Sequence, residues 1–250
     1  MGSLSNQEIK RIRSLAEKKY RDGLGLFVVE GEKMVEEALR SGFRVEQVWR
    51  REDIGEQAMG RISQLSHPSP VLAVVRKPET IVLDRPDPRK GLWLALDSLR
   101  DPGNLGTVLR IADWFGLDGV FATPDSVDIF NPKVVQATMG AIFRVRFHYT
   151  DLHVLADRVK DRGGKFYGTF LDGTDLYGTE LETGRDVPSV IVIGNESNGI
   201  SPELGAKVSD RLFIPPYPVG RSGGPESLNA AVATAVTVAE FRRRALSADL

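Results

Sequence analysis

The segment SVIVIGNESNGIS, residues 189–201, joins an apolar strand to a tight polar loop. A short, continuous apolar run such as Val190–Ile193 is typical of a strand that is buried on both faces of a parallel sheet. The loop ends at Ser201-Pro202, a favourable N-cap and first-turn pair for a helix. Glu196 lies two residues beyond the strand, where its carboxylate can bond nearby backbone amides or contact a ligand. A strand, a loop and a helix in this order predict one unit of an α/β sheet.

The same alternation of strands and helices extends from residue 91 to the C-terminal region. The expected strands are Leu92–Leu96, Gly119–Ala122, Phe143–Phe147, Lys165–Phe170, Val190–Ile193 and Arg211–Ile214. The expected helices cover about 105–115, 132–139, 151–162, 202–208 and 227–245. This pattern predicts an α/β fold with a mainly parallel sheet that is covered on both faces. Ligands bind outside the carboxyl ends of the strands in such sheets, so the loops that follow strands are the candidate functional loops.

A smaller α/β unit precedes this region. The pattern predicts a helix over 5–22, strand Leu26–Glu30, helix Glu32–Arg40, strand Arg44–Trp49, a helix over about 53–64 and strand Val71–Val75. Residues 77–90 are rich in proline and charge, which is typical of a linker with at most a brief extended segment. We therefore predict two domains, 1–76 and 91–250, joined by the linker 77–90.

The composition narrows the class of protein. With 250 residues, 41% of them hydrophobic and 27% charged, the chain resembles a soluble protein with a substantial core. The absence of cysteine excludes disulfides, thiolate metal sites and cysteine nucleophiles. His67, His148 and His153 are scattered, so no metal site is expected. No apolar run reaches the ~18 residues of a membrane span, and the N-terminal residues lack the apolar region of a secretory signal. A cytoplasmic protein without membrane association is expected.

The net charge of −1 gives no sign of a polyanionic partner, but residues 8–21 are locally basic. Against Glu8 and Glu17, this segment holds six cations: Lys10, Arg11, Arg13, Lys18, Lys19 and Arg21. Two interpretations remain open. These side chains form either the solvated face of a first helix or a surface that contacts the phosphates of a nucleic acid.

The loop Asp97–Gly106, DSLRDPGNLG, follows the first strand of the larger region. It is neither a dinucleotide-binding loop nor a P-loop, because it lacks G-x-G-x-x-G and the chain contains no Gly-Lys-Ser/Thr. Asn104 lies at the predicted helix start, where it can serve as the N-cap. Arg110, between Leu109 and Ile111, either extends to the surface or faces a functional cleft.

The loop Pro215–Ser227, PPYPVGRSGGPES, is long for a strand–helix connection, and long loops in compact domains are usually functional or disordered. The helix that follows is rich in alanine and valine, so it can pack closely against the sheet or against a second subunit. Ser227 and Asn229 both fall in its predicted first turn. By itself, Ser227 is more typical of an N-cap than of a catalytic group.

Three motifs occur in order along the chain: N-L-G-x-x-x-R at 104–110, G-N-E-x-x-G at 194–199 and I-P…S-L-N between Ile214 and Asn229. Together they resemble the motifs of the SpoU/TrmH family of RNA 2′-O-ribose methyltransferases, over about 91–243. The chain departs from the family at packing positions: Pro216 replaces a common Met, and Ala230-Ala231 follow S-L-N where Val-Ser is frequent. FVVEGEKMVEEAL at 27–39 resembles the substrate-binding domain of many members, which is similar to kink-turn-binding ribosomal proteins.

The resemblance implies a SPOUT-type fold with a deep C-terminal trefoil knot, a homodimer, and S-adenosyl-L-methionine (SAM) held in the knotted loops. The catalytic residues that it implies are Asn104, Arg110, Glu196, Ser227 and Asn229. The cofactor-binding residues that it implies are Thr169, Gly194, Ile214 and Leu228. The family's candidate base is Arg110, but a guanidinium is effectively always protonated. We therefore favour Arg110 as an anchor for a substrate phosphate, with a base role as the alternative.

The implied reaction is methyl transfer from SAM to a ribose 2′-hydroxyl of structured RNA. Ribosomal RNA is favoured by analogy, because similar proteins with such an N-terminal extension often act on it. Transfer RNA is one alternative substrate, and a non-catalytic RNA-binding protein of the same fold is another possibility. A Rossmann-type nucleotide enzyme is disfavoured, since its glycine fingerprint is absent.

Overall fold

The computed structural model describes residues 4–218 and 226–247. The chain forms two compact units, one of residues up to 79 with 128–144 and one of residues 80–127 with those from 145 onward. The segment 128–144 thus belongs with the first unit, although it lies inside the 91–250 region in sequence. The domain boundaries at 77–90 stay a prediction.

The helices and strands follow one another in the alternating order that the sequence indicates. They are α1 (Asn6–Ser14), α2 (Lys18–Leu24), β1 (Leu26–Glu30), α3 (Glu32–Arg40), β2 (Val45–Arg50), α4 (Arg51–Ile54), α5 (Glu56–Ile62), β3 (Val71–Arg76), β4 (Gly91–Leu96), α6 (Pro102–Trp114), β5 (Gly119–Ala122), α7 (Pro132–Ala137), β6 (Phe147–Tyr149), α8 (Leu152–Asp161), β7 (Lys165–Asp175), β8 (Pro188–Ile193), α9 (Pro202–Gly205), β9 (Asp210–Phe213) and α10 (Ala230–Ser247). None of the described helices is both long and apolar enough to cross a bilayer.

The first unit contains an antiparallel sheet in which β3 lies between β1 and β2. Successive side chains of β1 point to opposite faces of this sheet. Leu26 and Val28 pack with the apolar side of α1, including Ile12. Phe27 instead contacts the ring of Phe130, with ring centroids 4.7 Å apart. The segment 128–144 therefore supplies part of the hydrophobic core of the first unit.

The prediction of one helix over 5–22 is wrong, because the chain breaks between α1 and α2. The guanidinium of Arg21 donates to the carbonyl oxygens of Leu15 (2.9 Å) and Ala16 (2.7 Å) at this break. It also forms an ion pair with Asp128 at 2.7 Å, and its side chain is only 2% exposed. A break in a helix costs free energy when backbone carbonyl groups lose their hydrogen-bond partners. Arg21 provides these partners, so this cation is structural and not part of a solvated or RNA-binding face.

The second unit is built on six parallel strands in the order β6-β5-β4-β8-β7-β9, which confirms the predicted mainly parallel sheet. On one face, Phe166 and Val190 pack in a buried cluster with α8. Tyr167, which points to the opposite face, contacts Phe241 of α10 edge to face at 5.1 Å. Helices thus cover both faces of the sheet, as the sequence predicts. The predicted trefoil knot depends on the path of residues 219–225, which lie outside the described residues, and it stays a prediction.

Several predicted boundaries in this region differ from the structure. The strand expected at Phe143–Phe147 is wrong: residues 141–143 form a 3-10 turn within the first unit, and β6 begins only at Phe147. The helix α6 begins at Pro102 because Asp101 caps it, and α10 begins at Ala230 rather than Ser227. β7 is longer than expected and shifts register between Thr169 and Thr174, where it continues beside β9.

Candidate active site at the carboxyl ends of the parallel strands

The loops after β4 and β8 lie side by side because these strands are neighbours, with Leu96 paired to Ile193 at their carboxyl ends. Asn195 Nδ2 donates a 2.7 Å hydrogen bond to the carbonyl oxygen of Ser98. Its Oδ1 accepts hydrogen bonds from the backbone amides of Ser197 and Asn198 in its own loop. The two loops that carry the first and second motifs are therefore joined directly.

Glu196 connects the second motif to the start of α6. Its carboxylate accepts hydrogen bonds from the amides of Arg100 (3.2 Å) and Asp101 (3.0 Å) and from Asn104 Nδ2 (3.0 Å). Burial raises the pKa of this carboxyl, but the bonds from Asn104 and from these amides outweigh burial and lower the pKa below its usual value. Glu196 is thus an ionised positioning residue. These partners lie in the loop after β4 and in the first turn of α6, and the guanidinium of Arg110 is not among them.

Asn104 is the centre of a hydrogen-bonded chain that joins all three motifs. Its Oδ1 accepts a 2.9 Å bond from Asn229 Nδ2, while its Nδ2 donates to Glu196. The side chain is 9% exposed and lies in the first turn of α6, where Asp101 and not Asn104 provides the N-cap. The side-chain amide of Asn104 retains one further N–H and one further lone pair. The arrangement fixes the orientation of Asn104 and leaves it able to bind a ligand.

Asn229 caps α10 and thereby brings the third motif to the site. Its Oδ1 accepts bonds from the amides of Ala231 (2.9 Å) and Val232 (3.3 Å). Ser227 lies outside the helix and is exposed, so the interpretation of Ser227 as the N-cap is wrong. No hydrogen-bond partner of Ser227 occurs among the residues that the structure describes. Its predicted site role stays a prediction.

Arg110 lies apart from this hydrogen-bonded chain. Six residues of helix place it about 9 Å along the axis from Asn104 and about 120° around it. The side chain is exposed, and within residues 4–218 and 226–247 it has no hydrogen-bond or ion-pair partner. The structure thus brings together Glu196, Asn104 and Asn229, and leaves the guanidinium of Arg110 available to an anion.

Three of the predicted cofactor residues lie within or directly after three adjacent strands. Thr169 lies in β7, Gly194 directly follows β8, and Ile214 directly follows β9. Thr169 Oγ1 donates to the carbonyl oxygen of Val192 at 3.1 Å. Ile214 is half-buried and Leu228 is 47% exposed, so apolar surface is available beside backbone polar groups. Such a mixture suits an adenosine moiety, since ligand sites are mostly apolar with a few polar groups.

The described part of the chain holds no group of three or more His, Asp or Glu side chains that could bind a metal ion. Sequence reasoning also missed Asp97, Asn195 and Ser201, which join the two loops through hydrogen bonds. The signal was the strand end for Asp97, the G-N-E motif for Asn195 and the position before Pro202 for Ser201, but only the tertiary structure shows which group each one contacts.

Comparison with known proteins agrees with this geometry. A family model described as the SpoU rRNA methylase family matches residues 91–239, and a model described as the MRM3-like substrate binding domain matches residues 6–78. The 23S rRNA (guanosine(2553)-2′-O)-methyltransferase RlmP of Bacillus subtilis is 32% identical over 255 residues, covering 96% of this chain and 98% of that protein.

Solved structures give the same result. A putative RNA methyltransferase of the TrmH family from Porphyromonas gingivalis is 40% identical, with a TM-score of 0.81, and the match covers 97% of this chain and 100% of that one. An AdoMet-bound rRNA methyltransferase from Sinorhizobium meliloti is 28% identical, with a TM-score of 0.85, over 98% of this chain and 97% of that one. The family model spans more than half of the chain and includes all three motif loops, so this protein belongs to the SpoU rRNA methylase family.

Proposed function

We propose that this protein transfers the methyl group of SAM to a ribose 2′-hydroxyl of ribosomal RNA. The observation that carries the proposal is the hydrogen-bonded chain Glu196–Asn104–Asn229, which joins three motif loops at the carboxyl ends of the strands. The Bacillus subtilis relative is named for 2′-O-methylation of 23S rRNA, and the Sinorhizobium meliloti structure holds AdoMet. The first supports the reaction for this chain, and the second supports the cofactor.

Ribosomal RNA is favoured over transfer RNA as the substrate, because the rRNA methyltransferases match a larger part of this chain than the tRNA-modifying enzymes do. A structure described by 2′-OH methylation of C/U34 on tRNA covers 64% of this chain with a TM-score of 0.53. The match to the A. aeolicus TrmH/SpoU tRNA modifying enzyme covers 68% of this chain with a TM-score of 0.51. The rRNA methyltransferases cover nearly the whole chain, including the region of the substrate-binding model at 6–78.

Each residue of the candidate site has a separate role in the proposed reaction. When bound, SAM supplies an electrophilic methyl group on a sulfonium centre. Asn104, held by Glu196 and Asn229, orients the 2′-hydroxyl through its remaining N–H or lone pair. Ser227 is a second candidate for this orientation. Arg110 binds a phosphate of the target nucleotide, because its planar, permanently charged guanidinium suits bidentate contact with phosphate oxygens.

The test of this proposal compares RNA from a strain with and without the gene. Mapping of 2′-O-methyl groups in total RNA is expected to show one ribosomal position that loses its methyl group in the deletion strain and regains it with the wild-type gene. If the methyl group were lost from transfer RNA instead, transfer RNA would be the substrate and the assignment to ribosomal RNA would be wrong. If no ribose position changed in either RNA, the proposal would be refuted.

We also infer that the protein acts as a cytoplasmic homodimer. Trp114 of α6 is 85% exposed and lies one turn beyond Arg110, on the same side of that helix. On α10, Val232 is 49% exposed and Leu246 is 68% exposed. Exposed apolar side chains on two packed helices are typical of a surface that a partner covers. A second copy of the chain would bury them close to Arg110.

Replacing Trp114 by Glu is therefore expected to convert the dimer into a monomer, since a carboxylate at the centre of an apolar interface loses its hydration without a partner. Sedimentation velocity measures the mass directly. Leu39→Glu is the matched control, because Leu39 is 54% exposed but lies on α3 in the first unit. A Trp114→Glu protein with unchanged mass would exclude this surface as the interface.

The basic segment at 10–21 gives a separate prediction about RNA binding. Four of its cations are already paired: Arg11 with Glu46, Lys18 with Asp22, Lys19 with Glu17, and Arg21 with Asp128. In the described structure, only Lys10 and Arg13 of this segment have no acidic partner. Both are exposed on α1, so these two are the candidates for phosphate contact.

Replacement of Lys10 and Arg13 by Ala is expected to weaken RNA binding and to reduce the slope of log Kd against log salt concentration by about 1.4 to 1.8, as expected for two lost phosphate contacts. Fluorescence titrations at several salt concentrations measure the slope. The matched control replaces Lys18 and Lys19, which are paired in the structure. An unchanged slope in the Lys10/Arg13 variant would show that these two side chains do not contact RNA phosphates and form a solvated face of α1.

A further inference from the structure

Asp97 is a buried carboxylate beside the site that the proposed reaction does not use. It directly follows β4, is only 5% exposed, and donates its amide to the carbonyl oxygen of Ile193 at 2.9 Å. Its Oδ2 accepts two hydrogen bonds from Ser201, one from the amide (2.8 Å) and one from the hydroxyl (2.7 Å). A buried carboxylate is costly unless it is fully bonded. Asp97 therefore fixes the position of Ser201 relative to β4.

The chain turns sharply after Asp97. Ser98 has φ +55°, in the left-handed region that side-chain-bearing residues rarely adopt. The amide of Ser98 donates to Thr123 Oγ1 at 2.9 Å, and its hydroxyl donates to Asp125 at 2.7 Å. Its carbonyl oxygen accepts the bond from Asn195. These contacts hold an unfavourable backbone conformation. The turn thereby presents the amides of Arg100 and Asp101 to Glu196.

The opposite loop is a small closed structure. Asn195 and Gly199 exchange two backbone hydrogen bonds, each 2.9 Å long, so the residues between them form one turn. Glu196 is part of this turn, and Ser201 lies just beyond its end. A closed turn moves largely as a unit, so a bond at its end also sets the direction of Glu196. Ile200 packs in the core next to Ser201, but apolar packing is not directional in the way a hydrogen bond is.

We propose that Asp97 and Ser201 form a positioning pair that sets the tilt of the 195–199 turn, and that it acts on catalysis through Glu196. The pair has no role in contacting RNA or SAM. It keeps the carboxylate of Glu196 within hydrogen-bonding distance of Asn104. The link to catalysis rests on the proposed methyl transfer, whereas the link from Ser201 to Glu196 is a property of the structure alone.

The structural link is tested by hydrogen exchange, which needs no activity. In Ser201→Ala, one of the two bonds to Asp97 is lost, and the amide of Asp101 is expected to exchange about tenfold faster, although Ser201 does not contact it. Ser201→Thr keeps the hydroxyl and is expected to retain wild-type protection. Equal exchange of the Asp101 amide in wild type and Ser201→Ala would overturn the proposal.

The catalytic link is tested by a double-mutant cycle on kcat, measured far below the melting temperature of each variant. Ser201→Ala is expected to lower kcat about tenfold in the wild-type background but less than twofold when Glu196 is already Ala, because residues of one network are not additive. Asp157→Asn, which removes an exposed carboxylate paired with Lys207, is the control and leaves kcat unchanged. Equal losses in both backgrounds would overturn the catalytic part of the proposal. An inactive wild type on every RNA would instead refute the proposed function and leave the exchange result standing.

Discussion

Arg110→Ala is expected to lower kcat/KM for RNA methylation by about 10²- to 10³-fold, the range for loss of a charged contact to a phosphate. The affinity for SAM is expected to stay unchanged, because the predicted cofactor residues lie within β7, directly after β8 and β9, and just before α10, and not on α6. Arg110 has no hydrogen-bond or ion-pair partner in the described structure, so its removal breaks no such bond there. Methyl transfer from radiolabelled SAM and calorimetric titration of SAM measure the two quantities.

The matched control for Arg110 is Arg158→Ala. Arg158 is also an exposed arginine on a helix of the second unit, and its side chain makes no ion pair with the residues that the structure describes. Its removal is expected to change kcat/KM by less than about twofold, as is usual for surface substitutions away from special features. Strong residual transfer by Arg110→Ala on a verified RNA substrate would contradict the assignment of Arg110 to the site.

The conservative variant Arg110→Lys separates the two roles considered for this residue. A phosphate anchor loses bidentate geometry but keeps its charge, so most of the loss is expected in KM for RNA, with an unchanged pH profile of kcat. A base would instead shift the pH profile of kcat, because a lysine titrates at a lower pH than a guanidinium. We expect the first outcome.

Gly194→Ala is expected to weaken SAM binding by at least about tenfold, because a backbone displacement costs ~1–3 kcal/mol. A Cβ atom at this position would lie 2.2 Å from the carbonyl carbon of Gly199 and 2.3 Å from the backbone nitrogen of Ile200. Both contacts are with backbone, so no side-chain rotation relieves them. The 194–201 loop must move, and Glu196 moves with it.

Gly178→Ala is the control for this substitution, because a Cβ there meets nothing nearer than the Asp175 carbonyl oxygen at 3.9 Å. Calorimetry with SAM and a thermal melt are measured on both variants. We expect a folded Gly194→Ala protein with a lower melting temperature and little SAM binding. Wild-type affinity for SAM in Gly194→Ala would show that the loop after β8 does not hold the cofactor.

The sequence predicted the site at the level of loops but not of contacts. Strands that alternate with helices predict a parallel sheet, and polar residues after β4, β8 and β9 then fall at one edge of it. Which atoms meet there depends on strand order, because β8 becomes the neighbour of β4 only through the crossover. The bond from Asn104 to Glu196 spans 92 positions in sequence, so no local pattern reveals it. Asp97 and Ser201 were missed for the same reason.

The fold was predictable where local signals were complete. The helix Glu32–Arg40 has the predicted bounds because Gly31 precedes it and Ser41 follows it. The prediction failed where a distant residue changed the local preference. The apolar run at 141–143 resembles the beginning of a strand, but these side chains are buried in a 3-10 turn of the first unit. Arg21 similarly permits a helix break that the amphipathic pattern of 5–22 conceals.

The most direct test of the proposed reaction is the identity of the methylated nucleoside. Purified protein is incubated with labelled SAM and ribosomal RNA from a strain that lacks the gene, and the RNA is digested to nucleosides for mass spectrometry. The label is expected in a single 2′-O-methylnucleoside, and Arg110→Ala is expected to remove it. Label in a base-methylated nucleoside would contradict the account. A folded protein that binds SAM but incorporates no label into ribosomal RNA would also contradict it.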